Sequence, residues 1–162
     1  MVKKIYTWGG KFADRNYTVH DLLKAKGKQK LIQTTAINSS EGEAANKAGF
    51  DMLLCKSPLI KDVRLGAPNT FLTATIDLSN FVTEVDILRE AFRAMKEGAD
   101  QVYTARGPHI VELLAKEEIP VMCHLGLVPR KSGWKGGLRA IGSTAEEAFD
   151  LYNKFKTMEN AG

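Results

Sequence analysis

Apolar and polar positions along the chain fall into short blocks whose period switches in a regular order. "KLIQTTAI" (30–37) is a brief apolar run that predicts a strand. "SSEGEAANKAG" (39–49) has the make-up of a short helix, with serines able to cap its start and Gly49 able to end it. "FDMLLC" (50–55) predicts a second strand, and "NTFLTATIDL" (69–78), rich in Thr and Ile, a third. "TEVDILREAFRAMKEG" (83–98) is the clearest helix: Val85, Leu88, Phe92 and Met95 recur at helical spacing, Thr83 is placed to cap it and Gly98 to stop it. "DQVYTA" (100–105) predicts a fourth strand, and "PHIVELLAKEE" (108–118) a helix with Pro at its first position. "IPVMCHLGL" (119–127) predicts a fifth strand. "STAEEAFDLYNKFKTMENAG" (143–162) predicts a last helix, with Ser143 and Glu146 or Glu147 as a capping arrangement. Residues 1–16 are the least patterned and are expected to form an N-terminal arm ahead of a single α/β domain over 17–162.

Strands alternating with helices argue for a parallel sheet covered by helices. Two architectures fit. One is a (β/α)8 barrel, which needs about 250 residues and would be incomplete here, with about five strands. The other is an open doubly wound sheet, which about 160 residues accommodate and which length alone favours. In both, ligands bind beyond the carboxyl ends of the strands. That rule singles out Asn38, Lys56 and Ser57, Asp77, Tyr103 to Arg106, and His124.

Composition narrows the function classes. The chain has 162 residues, 44% of them apolar, which is enough to bury a core. Against 19 acidic residues stand 23 basic ones, a mild excess of +4 spread along the chain. A nucleic-acid partner would need a denser patch with a recognisable motif and is not expected. Cys55 and Cys123 each sit at the end of an apolar run, as buried thiols of a reducing compartment do, and no Cys/His spacing suits zinc. No run is long enough to span a bilayer and the N-terminus lacks an apolar h-region, so no membrane partner is expected and the expected location is cytoplasmic.

Longer words in the sequence carry a resemblance. "PVMCHLGLVPRKSGWKGGLRAIGSTAEEA" (120–148) resembles the "PVxGHLGLxPQ…GGxxxxGxTxEEA" segment of the ketopantoate hydroxymethyltransferase family. Upstream, "VHDLLKAKGKQKLIQTTAINSSEGEAANKAGFDMLLCKS" (19–57) is similar to that family's first two strands and the helix between them. "RLGAPN" (64–69) resembles its "RGAPN", and "MKEGADQV" (95–102) the start of its next strand. The similarity covers nearly everything from Thr18 onward. It implies a (β/α)8 barrel related to the phosphoenolpyruvate mutase and isocitrate lyase enzymes. It implies transfer of a hydroxymethyl unit from methylenetetrahydrofolate to a small α-keto acid, α-ketoisovalerate, in pantothenate biosynthesis, and assembly into homo-oligomers. In that chemistry Mg²⁺ polarises the keto oxygen, a base takes the neighbouring proton, and the enolate attacks the one-carbon unit.

Position by position, the resemblance assigns roles and shows departures. The family's "GDS" is Cys55-Lys56-Ser57: Ser57 stays as a substrate contact, while Lys56 stands where an acidic metal ligand is expected, which works against Mg²⁺. A buried Lys56 would suit a Schiff base with a carbonyl substrate, and an exposed one would only face solvent. "IDLS" places Asp77 at the second metal ligand if the strand takes two extra residues, an ungapped match putting Thr75 there; otherwise Asp77 is a strand-end cap or salt-bridge partner. Asn38 ends the first strand as a substrate contact. Tyr103 and Arg106 sit where the family has Lys and Gly, the family's Glu being Ala105 here, with Arg106 able to clamp a carboxylate. His124 is retained as a donor to a keto-acid oxygen, or as a histidine pairing with a backbone carbonyl. "PLIKDVRL" (58–65) leaves little room for the family's lid and second helix. Two functions remain: a hydroxymethyltransferase-type enzyme with an altered metal site, or a catalytically inactive paralogue serving as a binding or assembly subunit. The expected partners are another copy of the chain, or a missing C-terminal segment, covering the open edges of the sheet.

Overall fold

Capping residues and short apolar runs act in the order their period predicts. The computed structural model describes residues 2–162. It divides into two units, one up to Tyr103 and one from Thr104 onward. The first unit opens with an antiparallel hairpin, β1 (Lys3–Tyr6) and β2 (Phe12–Arg15). Helix α1 (Val19–Ala25) follows, then β3 (Gln33–Thr35), α2 (Ser39–Lys47) and β4 (Met52–Lys56). A 3-10 turn at Ser57–Leu59 leads into α3 (Ile60–Gly66), and β5 (Phe71–Thr75), α4 (Glu84–Lys96) and β6 (Gln101–Thr104) complete it. The second unit begins with the last residue of β6 and carries α5 (Pro108–Lys116), β7 (Val121–Cys123), a 3-10 segment at Pro129–Lys135 and α6 (Ala145–Ala161).

Strands β3, β4, β5 and β6 pair in parallel in chain order. In the second unit the His124 N–H donates to the Thr104 carbonyl at 2.9 Å, which gives β7 the next place in that order. A doubly wound sheet must reverse its strand order at a switch point. No reversal occurs, so the open doubly wound alternative is overturned. The chain is an α/β protein of the (β/α)8 barrel type, incomplete in this sequence.

Side chains alternate between the two faces of the sheet. Leu53 and Cys55, Leu72 and Ala74, and Val102 point one way and are buried. On the other face the register aligns Leu54, Thr73 and Gln101 in one row, and Lys56, Thr75 and Tyr103 in the next row toward the carboxyl ends. Gln101 donates its side-chain amide to the Thr73 hydroxyl at 3.0 Å, closing the lower row. Exposure rises along this face, from buried Met52 and Phe71 to exposed Lys56.

The amino ends of the strands are tied by charge. The Asp100 carboxylate accepts from Arg15 Nε at 2.7 Å, from an Arg64 terminal nitrogen at 2.8 Å and from the Leu72 N–H at 2.9 Å. Arg15 and Asp100 side chains are only 3% and 7% exposed. Arg64 also donates to the carbonyls of Gly98, Ala67 and Thr70, and Arg15 to that of Pro68. Burial pulls the Arg64 guanidinium down to about 10, partly offset by Asp100. Next to this cluster, Asn16 donates to the Asp51 carbonyl and accepts from the Phe71 N–H.

Several local expectations are corrected. The segment expected as a bare arm is a hairpin, held by the Arg15 cluster and by Trp8 packed edge-on against Phe92 at 5.6 Å. The α4 stripe is rotated: Ile87, Ala91, Ala94 and Met95 are buried, while Val85 and Phe92 are not. Alanines allow close approach, and Phe92 turns to Trp8 instead. Helix α3 does fit within 58–65 and its flanks, because it lies against α2 through glycines. A Cβ on Gly66 would stand 1.8 Å from the Ser39 carbonyl oxygen, and one on Gly42 2.8 Å from that of Val63. Thr144, not Ser143, caps α6.

Two outcomes follow. Asp100→Asn keeps the shape but leaves two buried guanidinium ions short of a counter-charge, and should lower unfolding free energy by about 3 kcal/mol in urea titrations. Gly66→Ala meets backbone rather than a movable side chain and should cost about 2–3 kcal/mol by the same measurement.

Candidate functional site

In the first unit, the residues at the carboxyl ends of the strands are held by local structure. Asn38 is the N-cap of α2, its side-chain oxygen accepting the Glu41 N–H at 2.9 Å, a job that Asn does well and that occupies this atom. Lys56 ends β4 and is exposed, so the desolvation a Schiff-base lysine needs is not supplied within this unit. It shares a row with Thr75 and half-buried Tyr103, the two flanking members lying two strand spacings apart, about 10 Å. Burial raises the Tyr103 phenol.

Ser57 is fully buried. Its carbonyl accepts from Arg93 at 2.8 Å. Its hydroxyl lies beside the Glu90 carboxylate, close enough to lower that group but short of hydrogen-bond geometry. Burial raises Glu90, and Arg93, paired with it at 2.5 Å, more than offsets this, leaving the carboxyl below its ordinary value. A substrate contact at Ser57 therefore has to reach a residue already built into the β4–α3–α4 junction.

Asp77 sits two residues beyond β5. One of its carboxylate oxygens accepts both the Ser79 N–H at 2.8 Å and the Ser79 hydroxyl at 2.7 Å, a local turn that a short acidic side chain makes readily. Among the described residues no three His, Cys, Asp or Glu side chains converge on one point. With Lys56 in the row beside it and one Asp77 oxygen committed to Ser79, this donor set does not fit a divalent cation, which prefers several converging carboxylates.

The second unit gathers the remaining candidates. Thr104 is the hub: its carbonyl accepts the His124 N–H, and its hydroxyl accepts the Arg106 N–H at 3.3 Å. Both side chains line a cavity of about 390 Å³. Lys131 donates to the Ala105 carbonyl on its wall. Lys135 and Lys154 add positive charge, Val128, Ile141 and Leu151 supply apolar surface, and Glu147 and Asp150 supply two carboxylates. The volume suits a small molecule, and four cations against two acids favour an anion.

Glu147 is not available as a base. Arg139 pairs with it, and Ser143 donates to it, so its carboxyl is lowered to about 2 from an ordinary 4.5. Burial raises the half-buried Cys123 thiol, and buried Cys55 is pushed up to about 12, which leaves both as inert thiols at neutral pH.

Lys131, Lys135, Glu147, Asp150 and Lys154 are residues that sequence reasoning missed as cavity lining. The basic run Arg130–Lys135 was the available signal, and it reads equally well as a solvated surface.

The chain is similar to known proteins in three ways. A sequence profile for ketopantoate hydroxymethyltransferase matches residues 57–162. The chain is 32% identical to 3-methyl-2-oxobutanoate hydroxymethyltransferase of Kosmotoga olearia, the match covering 89% of this chain and 63% of that protein. It is 31% identical to the protein of the same name from Ignicoccus hospitalis, over 91% and 66%. The chain thus spans somewhat under two thirds of the length of these relatives. In fold it is similar to 2,3-dimethylmalate lyase, a member of the PEP mutase/isocitrate lyase superfamily, with TM-score 0.62 at 12% identity, covering 98% of this chain and 60% of the lyase. A second crystal form of that lyase gives TM-score 0.60 at 11% identity.

One pH-dependent outcome is specific to α6. The lowered Glu147 carboxyl is charged in the folded state down to about 2, so its caps on Gly142 and Ser143 hold fully above the ordinary value of 4.5. They are lost as pH falls through the folded value. The difference in thermal midpoint between the unmodified chain and Glu147→Gln should therefore be constant above 4.5 and close as pH falls from there toward 2.

Proposed function

The chain belongs to the ketopantoate hydroxymethyltransferase family, and on that premise we propose that its second unit binds a small α-keto acid in the Arg106–His124 cavity. The observation that carries this reading is the Thr104 hub, which holds both residues at one cavity wall. The Arg106 guanidinium takes the carboxylate, as a planar fork of donors does best. The His124 imidazole donates to the keto oxygen. Val128, Ile141 and Leu151 accept a branched aliphatic tail. Of the two carboxylates on the wall, Asp150 is the one not tied down by an arginine pair.

The reaction class is transfer of a hydroxymethyl unit from methylenetetrahydrofolate to the carbon beside the keto group, the route from 3-methyl-2-oxobutanoate toward pantothenate. The residues that would hold Mg²⁺ in such a reaction do not fit it. Altered metal dependence is part of this reading: Lys56 puts a positive charge where the resemblance expects a negative one. Exposed Lys56 also favours the second reading, in which the chain keeps binding and assembly with other copies but not turnover.

Calorimetry with 3-methyl-2-oxobutanoate separates these. Binding is expected, weakened at least tenfold, about 1.4 kcal/mol, by Arg106→Ala and by His124→Ala. Formation of the hydroxymethylated keto acid on adding methylenetetrahydrofolate supports the enzyme, and binding without product supports the inactive subunit. An intact chain that binds no keto acid removes both. In the same cell Mg²⁺ should bind weakly, and Lys56→Asp should strengthen it.

A further inference from the structure

A cavity of about 660 Å³ lies within the first unit at the amino ends of β4 and β5, the opposite end of those strands from Lys56 and Thr75. Its base is closed by hydrogen bonds. The buried Thr70 hydroxyl donates to the Asn46 side-chain oxygen at 2.7 Å. Asn16 is committed at both ends of its amide, to the Asp51 carbonyl and to the Phe71 N–H. One Asp51 carboxylate oxygen accepts the Ile32 N–H at 2.8 Å, and the Tyr17 hydroxyl accepts from Gln29 at 3.0 Å.

The groups these contacts leave over have a definite chemistry. Lys3 is matched by Asp21, whose carboxyl Lys3 and Thr18 hold well below its ordinary value. Lys24 and Lys28 line the same cavity with no acidic partner among the described residues. Asn46 spends its oxygen on Thr70 and keeps its NH2 group, and the Asn69 side chain is likewise uncommitted. Two ammonium groups and two amide NH2 groups offer donors, which the oxygens of a phosphate ester need. Tyr17 and Phe50 add half-buried ring surface, and neither packs against another aromatic ring among the described residues. A bare phosphate would leave most of this volume empty, and flat apolar walls call for a planar body beside the anion.

We propose that this cavity binds a nucleoside monophosphate, with the phosphate on Lys24 and Lys28 and the base against Tyr17 and Phe50. The second Asp51 oxygen accepts from a sugar hydroxyl or a base amine. The inference does not depend on the enzymatic reading, since this cavity shares no residue with the Arg106–His124 cavity.

Calorimetry of the intact chain with AMP, GMP, CMP and UMP should detect binding of at least one. The matching nucleoside and inorganic phosphate should each bind roughly tenfold more weakly or worse, because each keeps only half of the contacts. Lys24→Ala with Lys28→Ala, both exposed positions, should weaken the nucleotide roughly tenfold and leave the unfolding midpoint unchanged. Phe50→Leu, which keeps apolar volume but removes the ring, should weaken it roughly fivefold. Nuclear Overhauser contacts between the base protons and aromatic side chains test the stacking in the unmodified chain. A chain that binds none of the four nucleotides overturns the proposal. Inorganic phosphate that binds as well as the nucleotide reduces the site to a patch of surface cations and overturns it too. So does nucleotide binding indifferent to the double lysine variant, or a bound base with no Overhauser contact to an aromatic ring.

Discussion

The first unit depends on one carboxylate. Asp100 sits at the amino end of β6 with its oxygens shared between Arg15 of the hairpin, Arg64 of α3 and the backbone of Leu72. A buried ion is tolerated only when every lone pair and proton on it finds a partner. That condition reaches well beyond the pair itself. Arg64 satisfies its remaining donors on the carbonyls of Gly98, Ala67 and Thr70, which sets the turn before β5 and the turn before β6 together. Two words of the sequence that look unrelated, "RLGAPN" and "MKEGADQV", turn out to be the two sides of this one arrangement.

The two ends of the strands have opposite characters as a result. At the amino ends charges are buried and cross-linked. At the carboxyl ends of β4, β5 and β6 the face opens toward the row of Lys56, Thr75 and Tyr103, with Lys56 exposed and the other two half-buried. In the second unit the same kind of end carries the Thr104 hub, where hydrogen bonds spent on the backbone leave the Arg106 and His124 side chains directed at a cavity. Rigid support beneath and polar side chains above is the division of labour that lets a barrel-type sheet host chemistry without weakening itself.

Much of this was legible beforehand, and the failures have physical reasons. The five parallel strands and the helices α2, α4, α5 and α6 announce themselves because apolar period and capping residues agree. Asp86 completes the capping box of Thr83 as the local pattern requires. The hairpin was invisible because its four-residue strands are held by a partner 85 residues away in the chain and not by their own pattern. The rotated face of α4 does not show in the spacing of its large residues, because close packing selects the alanines. Arg106 and His124 are legible as strand-end residues, and the structure adds that both line one cavity. Their neighbours on α6 are not legible, since nothing in a run of helical polar residues says which face meets a cavity.

The separation of Arg15 from Asp100 also has a meaning in time. A ribosome adds about 5–20 residues per second, so Arg15 leaves it roughly 4–17 s before the acid it needs. Through that interval Arg15 lacks the acid that later pairs with it, and water must hold the guanidinium. The hairpin is therefore first in the chain and among the last parts to settle, a clasp that shuts only once the fourth parallel strand has been delivered.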